Sequence, residues 1–128
     1  MTTFKHTALV CTSEENADRF YRKLLGLEKA APKILPRSLA HAVFQVDRDV
    51  AIINYTGKGI HFEIFIDEAG KRCRGAMAHT CIEVEEKTVF LDACRELNIT
   101  VNTVEKGDKT LLFVHDLDGN LFEIKNRR

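Results

Sequence analysis

Two histidines and two glutamates in this chain stand in matched surroundings. His6-Thr7-Ala8-Leu9-Val10 is echoed by His79-Thr80-Cys81-Ile82-Glu83-Val84, and Phe62-Glu63-Ile64 is echoed by Phe122-Glu123-Ile124. The same opening and the same close appear twice in the same order, which is the mark of an internal duplication. If the two copies pack about an approximate two-fold axis, His6 faces His79 and Glu63 faces Glu123. Two imidazoles and two carboxylates on rigid strands then converge on one point. Such a donor set suits zinc, nickel, cobalt, manganese or iron(II), and the absence of thiolate argues against a closed structural zinc site. No compact HExxH spacing is present, so the inference rests on the repeat. A strand histidine taken alone is usually a hydrogen-bonded core or surface residue and a strand glutamate usually faces water, and duplication copies inert residues as readily as ligands.

The elements that must hold these residues read alike in both copies. A capping box of Thr12 and Glu15 opens a helix whose apolar residues Ala17, Phe20, Tyr21, Leu24 and Leu25 keep helical spacing, and Gly26 ends it. In the second copy Phe90, Ala93, Cys94 and Leu97 form one stripe within about 87–97. Strands are expected at Phe4–Cys11, Ala40–Val46, Val50–Tyr55 and Ile60–Ile66, then at Met77–Val84, Thr100–Glu105, Thr110–His115 and Asn120–Lys125. Asp47-Arg48-Asp49, Gly57-Lys58-Gly59, Gly107-Asp108 and Asp118-Gly119 supply reversals. Each half is strand, helix, three strands. Alternation puts Glu63 on one face with His61 and Phe65, and Phe62, Ile64 and Ile66 on the other. The stretch Gly70 to Gly75 suits a linker, and Pro32 and Pro36 bracket a loop.

Composition narrows the rest. The 128 residues, 45% apolar and 30% charged, are enough for one domain with a real core. The 19 basic and 19 acidic side chains cancel, leaving no excess field to hold nucleic acid or an anionic membrane. The apolar run around Val50 to Tyr55 is too short to span a bilayer and the first residues lack a signal core, so a cytoplasmic location is expected. Cys11, Cys73, Cys81 and Cys94 have no CxxC spacing and are expected to be reduced, mostly buried thiols.

On these residues the chain resembles the vicinal oxygen chelate superfamily, and within it glyoxalase I, over nearly its whole length. The carriers are His6 to Val10 with Phe20-Tyr21-x-x-Leu24-Leu25-Gly26-Leu27, the module start Ala78-His79-Thr80, and the close Asp116-x-Asp118-Gly119-Asn120-x-x-Glu123. The resemblance implies an α+β fold, a single 1–128 domain of two βαβββ modules, about 1–69 and 76–128, forming a cupped mixed sheet around a metal site. It implies one divalent ion, nickel or cobalt favoured and zinc allowed, held by His6, Glu63, His79 and Glu123. It also implies a homodimer and a lactoylglutathione lyase-like activity, in which the ion stabilises enediolate charge while Glu123 and Glu63 remove and return a proton. The pattern departs where glyoxalase I carries an arginine four residues after its first ligand and an asparagine four after its second. Val10 and Asp67 stand there, and neither an apolar side chain nor a second negative charge holds a glycyl carboxylate, so glutathione is not favoured as the thiol.

Other readings keep the metal and change the chemistry: epimerisation of an acyl thioester, thiol addition to an epoxide antibiotic, or dioxygenation, the last disfavoured because a fourth protein ligand crowds oxygen. A drug-sequestering module without metal lacks the ligand quartet, and there is no tryptophan here to stack a drug. Lys71, Arg72 and Arg74 offer anion contacts, although a basic loop is usually just solvated. His41, His61 and His115 are candidates for substrate contact or for supporting the ligands. Cys11 and Cys81 read as packing residues.

Overall fold

The computed structural model describes residues 1–70 and 77–127. The chain divides into two compact units, Met1–Gly70 and Lys71–Arg128. The expected linker beyond Gly70, with Lys71, Arg72, Cys73 and Arg74, lies outside the described residues.

In the first unit β1 (Thr7–Cys11) leads into α1 (Glu14–Ala17), which continues as a π-helical segment, Asp18–Leu24. Then come β2 (Glu28–Lys29), β3 (Lys33–Leu35), α2 (Arg37–Phe44), β4 (Val50–Gly57) and β5 (Ile60–Ile66). The sheet order is β1-β5-β4-β2, with β3 also paired to β4. The second unit has β6 (Thr80–Val84), α3 (Lys87–Glu96), β7 (Thr100–Lys106), β8 (Lys109–His115) and β9 (Leu121–Asn126), ordered β6-β9-β8-β7. In both, the last strand inserts parallel to the first and antiparallel to the one before it. This is the expected α+β architecture of duplicated βαβββ modules.

The first helix starts one residue later than the capping box predicts. Ser13 is the N-cap, its hydroxyl accepting from Asn16 N at 3.1 Å, and Thr12 Oγ1 accepts from the Asn16 amide instead. The helix then widens: Leu25 N donates to Phe20 O, five residues back, and Leu27 N to Tyr21 O. The extra residue per turn rotates the apolar stripe, so Phe20, Tyr21 and Leu27 are buried while Leu24 and Leu25 are only half-buried. Tyr21 packs on Tyr55 and Phe62, ring centroids 5.6 and 5.3 Å away. These aromatics close one face of the first sheet.

The strand expected at Ala40–Val46 is a helix. Pro36, extended at the N-cap, cannot join a strand ladder, and Gln45 takes the left-handed conformation that ends the helix (φ 58°). Asp49 Oδ1 accepts from the first helical N–H, that of Arg37, at 2.7 Å. The alternation of Ala40, Ala42 and Phe44 imitates a strand, but only Ala40 is buried, which one turn of helix explains. The strand position is filled instead by β2 and by β3, which occupies the supposed loop between Pro32 and Pro36. The Phe44 ring meets Phe65 at 5.4 Å, so α2 borders the sheet face that carries Glu63.

In the second unit Phe122, Ile124, Leu112, Val114 and Cys94 pack the face opposite Glu123. Burial pushes the Cys94 thiol up to about 11, so it acts as an apolar filler. Among the described residues no helix is long and apolar enough to cross a membrane.

One polar cluster ties the first helix to the sheet. Tyr55 OH donates to Asp18 Oδ1 at 2.7 Å, Lys29 Nζ donates to Asp18 Oδ2 at 2.9 Å, and Lys29 also contacts Glu14. Burial alone would push the Asp18 carboxyl up, but the Tyr55 and Lys29 hydrogen bonds outweigh it and hold the carboxyl below its usual range. Asp18→Asn is therefore expected to cost about 1–2 kcal/mol in urea unfolding at neutral pH. Because the folded pKa is depressed, this contribution is complete above the unfolded value of about 4 and is lost as pH falls through the lower folded one. The two proteins should then converge in stability under acid; a gap that persists there contradicts the assignment.

Candidate functional site

The two histidines and two glutamates are placed by strand register. Parallel pairing of β1 with β5 sets Thr7 against Phe62 and Ala8 against Glu63, so His6, one residue before the strand, projects beside the Glu63 row. In the second unit β6 and β9 set Thr80 against Phe122 and Cys81 against Glu123, which puts His79 in the same relation to Glu123. His6 Nε2 lies 3.6 Å from Glu63 Oε1, and His79 Nε2 lies 3.5 Å from Glu123 Oε1. The four candidates are thus brought together two by two, in one repeated geometry. Among the described residues no group of three or more His, Cys, Asp or Glu side chains is placed to hold an ion.

The donor chemistry within the second pair fits a metal, and the first pair repeats its Nε2-to-carboxylate approach. His79 Nδ1 lies 2.8 Å from Met77 O, and since a carbonyl only accepts, Nδ1 carries the hydrogen. In the neutral ring Nε2 then keeps its lone pair, aimed at a carboxylate oxygen. Two acceptors facing each other are stable only with a cation or proton between them. A charge-assisted hydrogen bond would draw the atoms to about 2.7–2.9 Å. Two ligands each about 2.1 Å from one ion, at tetrahedral or right angles, lie about 3.0–3.4 Å apart, close to the separations present. The Met77 bond is also the kind of outer contact that fixes the tautomer of a metal-binding histidine.

Two further side chains frame these pairs. The His61 ring lies 5.3 Å from that of His6, and His61 Nε2 is 2.6 Å from Asn54 Oδ1. The Phe113 ring meets His79 edge-on at 5.9 Å. Asn54 and Phe113 occupy equivalent seats, each directly across the sheet from its glutamate. Sequence reasoning missed both, although counting back from the turn at Gly57-Lys58-Gly59 would have placed Asn54 opposite Glu63.

The remaining expectations divide. Cys11 is buried packing, as expected. Cys81 is not: it is exposed, opposite Glu123, and its thiol is pushed up by burial of the sulfur and by the Glu123 carboxylate to which it hydrogen-bonds. A strand of alternating faces puts residue 81 on the Glu123 side, not in the core. His41 is exposed on α2, and His115 Nδ1 is buried without a partner among the described residues. Asp116 is scaffold: its Oδ1 accepts from Asp118 N and Asn120 N, and its Oδ2 from the Asn120 amide, folding the loop that launches β9. Val10 is half exposed, and Asp67 is committed to Arg48 at 3.0 Å and to Ala69 N.

No protein-family model and no curated protein sequence matches the chain. Solved structures do. The glyoxalase family protein from Enterococcus faecalis superimposes with a TM-score of 0.71 at 19% identity, covering 95% of both chains. The glyoxylase/bleomycin resistance protein/dioxygenase domain from Frankia gives 0.72 at 14% identity, over 100% of this chain and 99% of that one. A variant of the fosfomycin resistance protein FosX from Listeria monocytogenes, complexed with Mn(II) and dihydroxypropylphosphonic acid, gives 0.71 at 13% identity, over 98% and 90%. The duplicated βαβββ sheets and these end-to-end likenesses show that the chain has the vicinal oxygen chelate fold, the fold of the glyoxalase, bleomycin resistance and dioxygenase proteins.

Proposed function

We propose that His6, Glu63, His79 and Glu123 are the protein ligands of one divalent ion, and that the chain is a metal-dependent lyase or isomerase. Its substrate is a small molecule with oxygens on adjacent carbons. The observation that carries this reading is the repeated His Nε2 to Glu Oε1 approach, 3.6 and 3.5 Å, with His79 already fixed through its other nitrogen. A bound ion would draw in both substrate oxygens and offset the negative charge that develops on them. The chain's own work is then proton transfer. Glu123, its side chain 19% exposed, turns Oε1 to His79 and retains carboxylate lone pairs to take the proton from the hydroxyl-bearing carbon next to the carbonyl. Glu123, now the acid, can give the same proton to the neighbouring carbon. Glu63 occupies the matching place in the first unit and delivers a proton there instead if it is itself protonated from solvent while Glu123 loses its proton to solvent. His6 and His79 hold position without transferring protons.

Lactoylglutathione lyase is the named activity nearest this chemistry, but the thiol is not glutathione. The Val10 side chain is apolar, and the Asp67 carboxylate, engaged by Arg48 and the Ala69 N–H, supplies no donor for a glycyl carboxylate. A second reading has one observation behind it. Glu123 shares a cleft of about 380 Å³ with Lys87, Lys109 and Lys125, which would attract an anionic group such as the phosphonate bound by the FosX variant.

Nickel, cobalt, zinc and manganese titrations should each find one ion per chain for at least one metal. His6→Ala and His79→Ala should each weaken it by more than the roughly 10–100-fold that losing an outer contact costs. Retained affinity in both variants overturns the metal assignment. Glu123→Gln should keep most of the ion yet lower turnover of a methylglyoxal–thiol adduct by about 100-fold or more; unchanged turnover removes that glutamate from the mechanism. An adduct of a small thiol without a glycyl carboxylate should be turned over faster than the glutathione adduct. Consumption of fosfomycin with neither adduct turned over favours the second reading instead.

A further inference from the structure

The two imidazoles are held by different devices. His79 is tied through Nδ1 to the Met77 carbonyl and flanked by the edge of Phe113. His6 has no such backbone bond: its contacts among the described residues are Glu63 and the ring of His61. It also precedes the first strand, in a segment where Phe4 is 84% exposed, so no ladder bond or packed neighbour before it restrains its ring. An imidazole on free backbone samples several rotamers, and holding one of them needs a partner.

We propose that His61 is that partner, a positioning residue that holds the His6 ring with Nε2 toward Glu63. This inference rests on the metal reading of the site and deepens it. His61 sits on β5 two residues before Glu63, on the same sheet face, where its ring centroid is 5.3 Å from that of His6 at 54°. Its Nε2 is already spent on Asn54 Oδ1 at 2.6 Å, so the ring is fixed from behind and stands tilted against His6. Thr56 stands directly across from His61 and Asn54 directly across from Glu63, so the Asn54–His61 bond is a diagonal contact over one row of the sheet.

The second unit shows the same need met with different residues. The seat opposite the glutamate is Asn54 in the first unit and Phe113 in the second; the seat two before the glutamate is His61 in the first and Leu121 in the second. Where the opposite seat holds an aromatic ring, that ring packs on the histidine directly. Where it holds an amide, the amide pins a ring carried on the next strand. Each histidine ends with one ring against it, 5.3 Å away in one unit and 5.9 Å in the other. The common element is a ring beside the imidazole, and in the first unit the polar bond behind that ring is the means.

The test uses Co(II) as the probe, with dissociation constants and visible absorption measured on the whole chain. His61→Ala is expected to weaken Co(II) binding roughly 10–100-fold, the range for loss of an outer contact, and to shift the ligand-field bands. His61→Phe, which supplies a ring without the Asn54 bond as Phe113 does for His79, is expected to recover most of the affinity and the band positions. Thermal unfolding of the metal-free variants separates a folding defect, since a general loss of structure would move both variants' midpoints and would not be rescued spectrally by Phe. Wild-type affinity and bands in His61→Ala, or a Phe variant as impaired as the Ala variant, overturn the proposal. His6→Ala runs beside them: if it abolishes binding while His61→Ala binds Co(II) like the wild type, only the positioning role fails. If His6→Ala binds Co(II) like the wild type, the metal reading fails and this inference with it.

Discussion

Everything in the site depends on a parallel strand pair. In each unit the last strand lies against the first in the same direction, and the register sets a threonine opposite a phenylalanine with the glutamate one residue on. That single constraint puts a histidine just before one strand within 3.6 Å of a glutamate inside the other. Side chains on a strand alternate, so a slip of one residue would turn Glu63 into the layer of Phe62 and Ile64 and expose those two instead. Burying a carboxylate there and exposing two large apolar groups would each cost several kcal/mol. The fold therefore defends the site's register with its core. Phe62, Ile64, Phe122 and Ile124, all nearly inaccessible, are the guarantors of where the two carboxylates point.

The same economy runs through the connections. The loop before β9 is organised by one buried carboxylate, Asp116, which takes three hydrogen bonds and a glycine at φ 89° to reverse the chain in a few residues. Its role is to start β9 in phase, so that Glu123 falls on the correct face. The widened helical turn after Ala17 does the corresponding work in the first unit. It delivers Phe20 and Tyr21 together onto the sheet and leaves the opposite face to the histidines and Glu63. The histidine–glutamate pair and its register are the same in both units, while the neighbours of each pair differ: an amide and an imidazole in one unit, a phenylalanine and a leucine in the other.

Much of this was legible in the residues, and the parts that were not have physical reasons. The His-Thr and Phe-Glu-Ile echoes could be seen because a parallel pair buried on one face leaves a recognisable apolar alternation around the polar seats. β5 was predicted to the residue, and α3 and the second-unit strands nearly so, because turn residues bound them. The α2 segment was misread because Ala40, Ala42 and Phe44 satisfy a two-residue period as well as a helical one, and Pro36 with Gln45 decided between them. The π turn left no local mark, since it is imposed by packing Phe20 and Tyr21 together. Cys81 looked like a core residue by composition, and only its partner across the sheet shows that it shares a face with Glu123. Asn54 and Phe113 act through cross-strand neighbours, information that sequence order alone does not carry.

X-ray absorption at the metal edge of the Co(II)- or Zn(II)-loaded protein reads the ligand set directly. Two imidazoles and carboxylate oxygens predict nitrogen and oxygen scatterers alone, at about 2.0–2.2 Å, with the outer-shell pattern of two histidine rings. A sulfur scatterer at about 2.3 Å, which would bring Cys81 into the shell, or a spectrum without imidazole, would contradict a site built from His6, Glu63, His79 and Glu123.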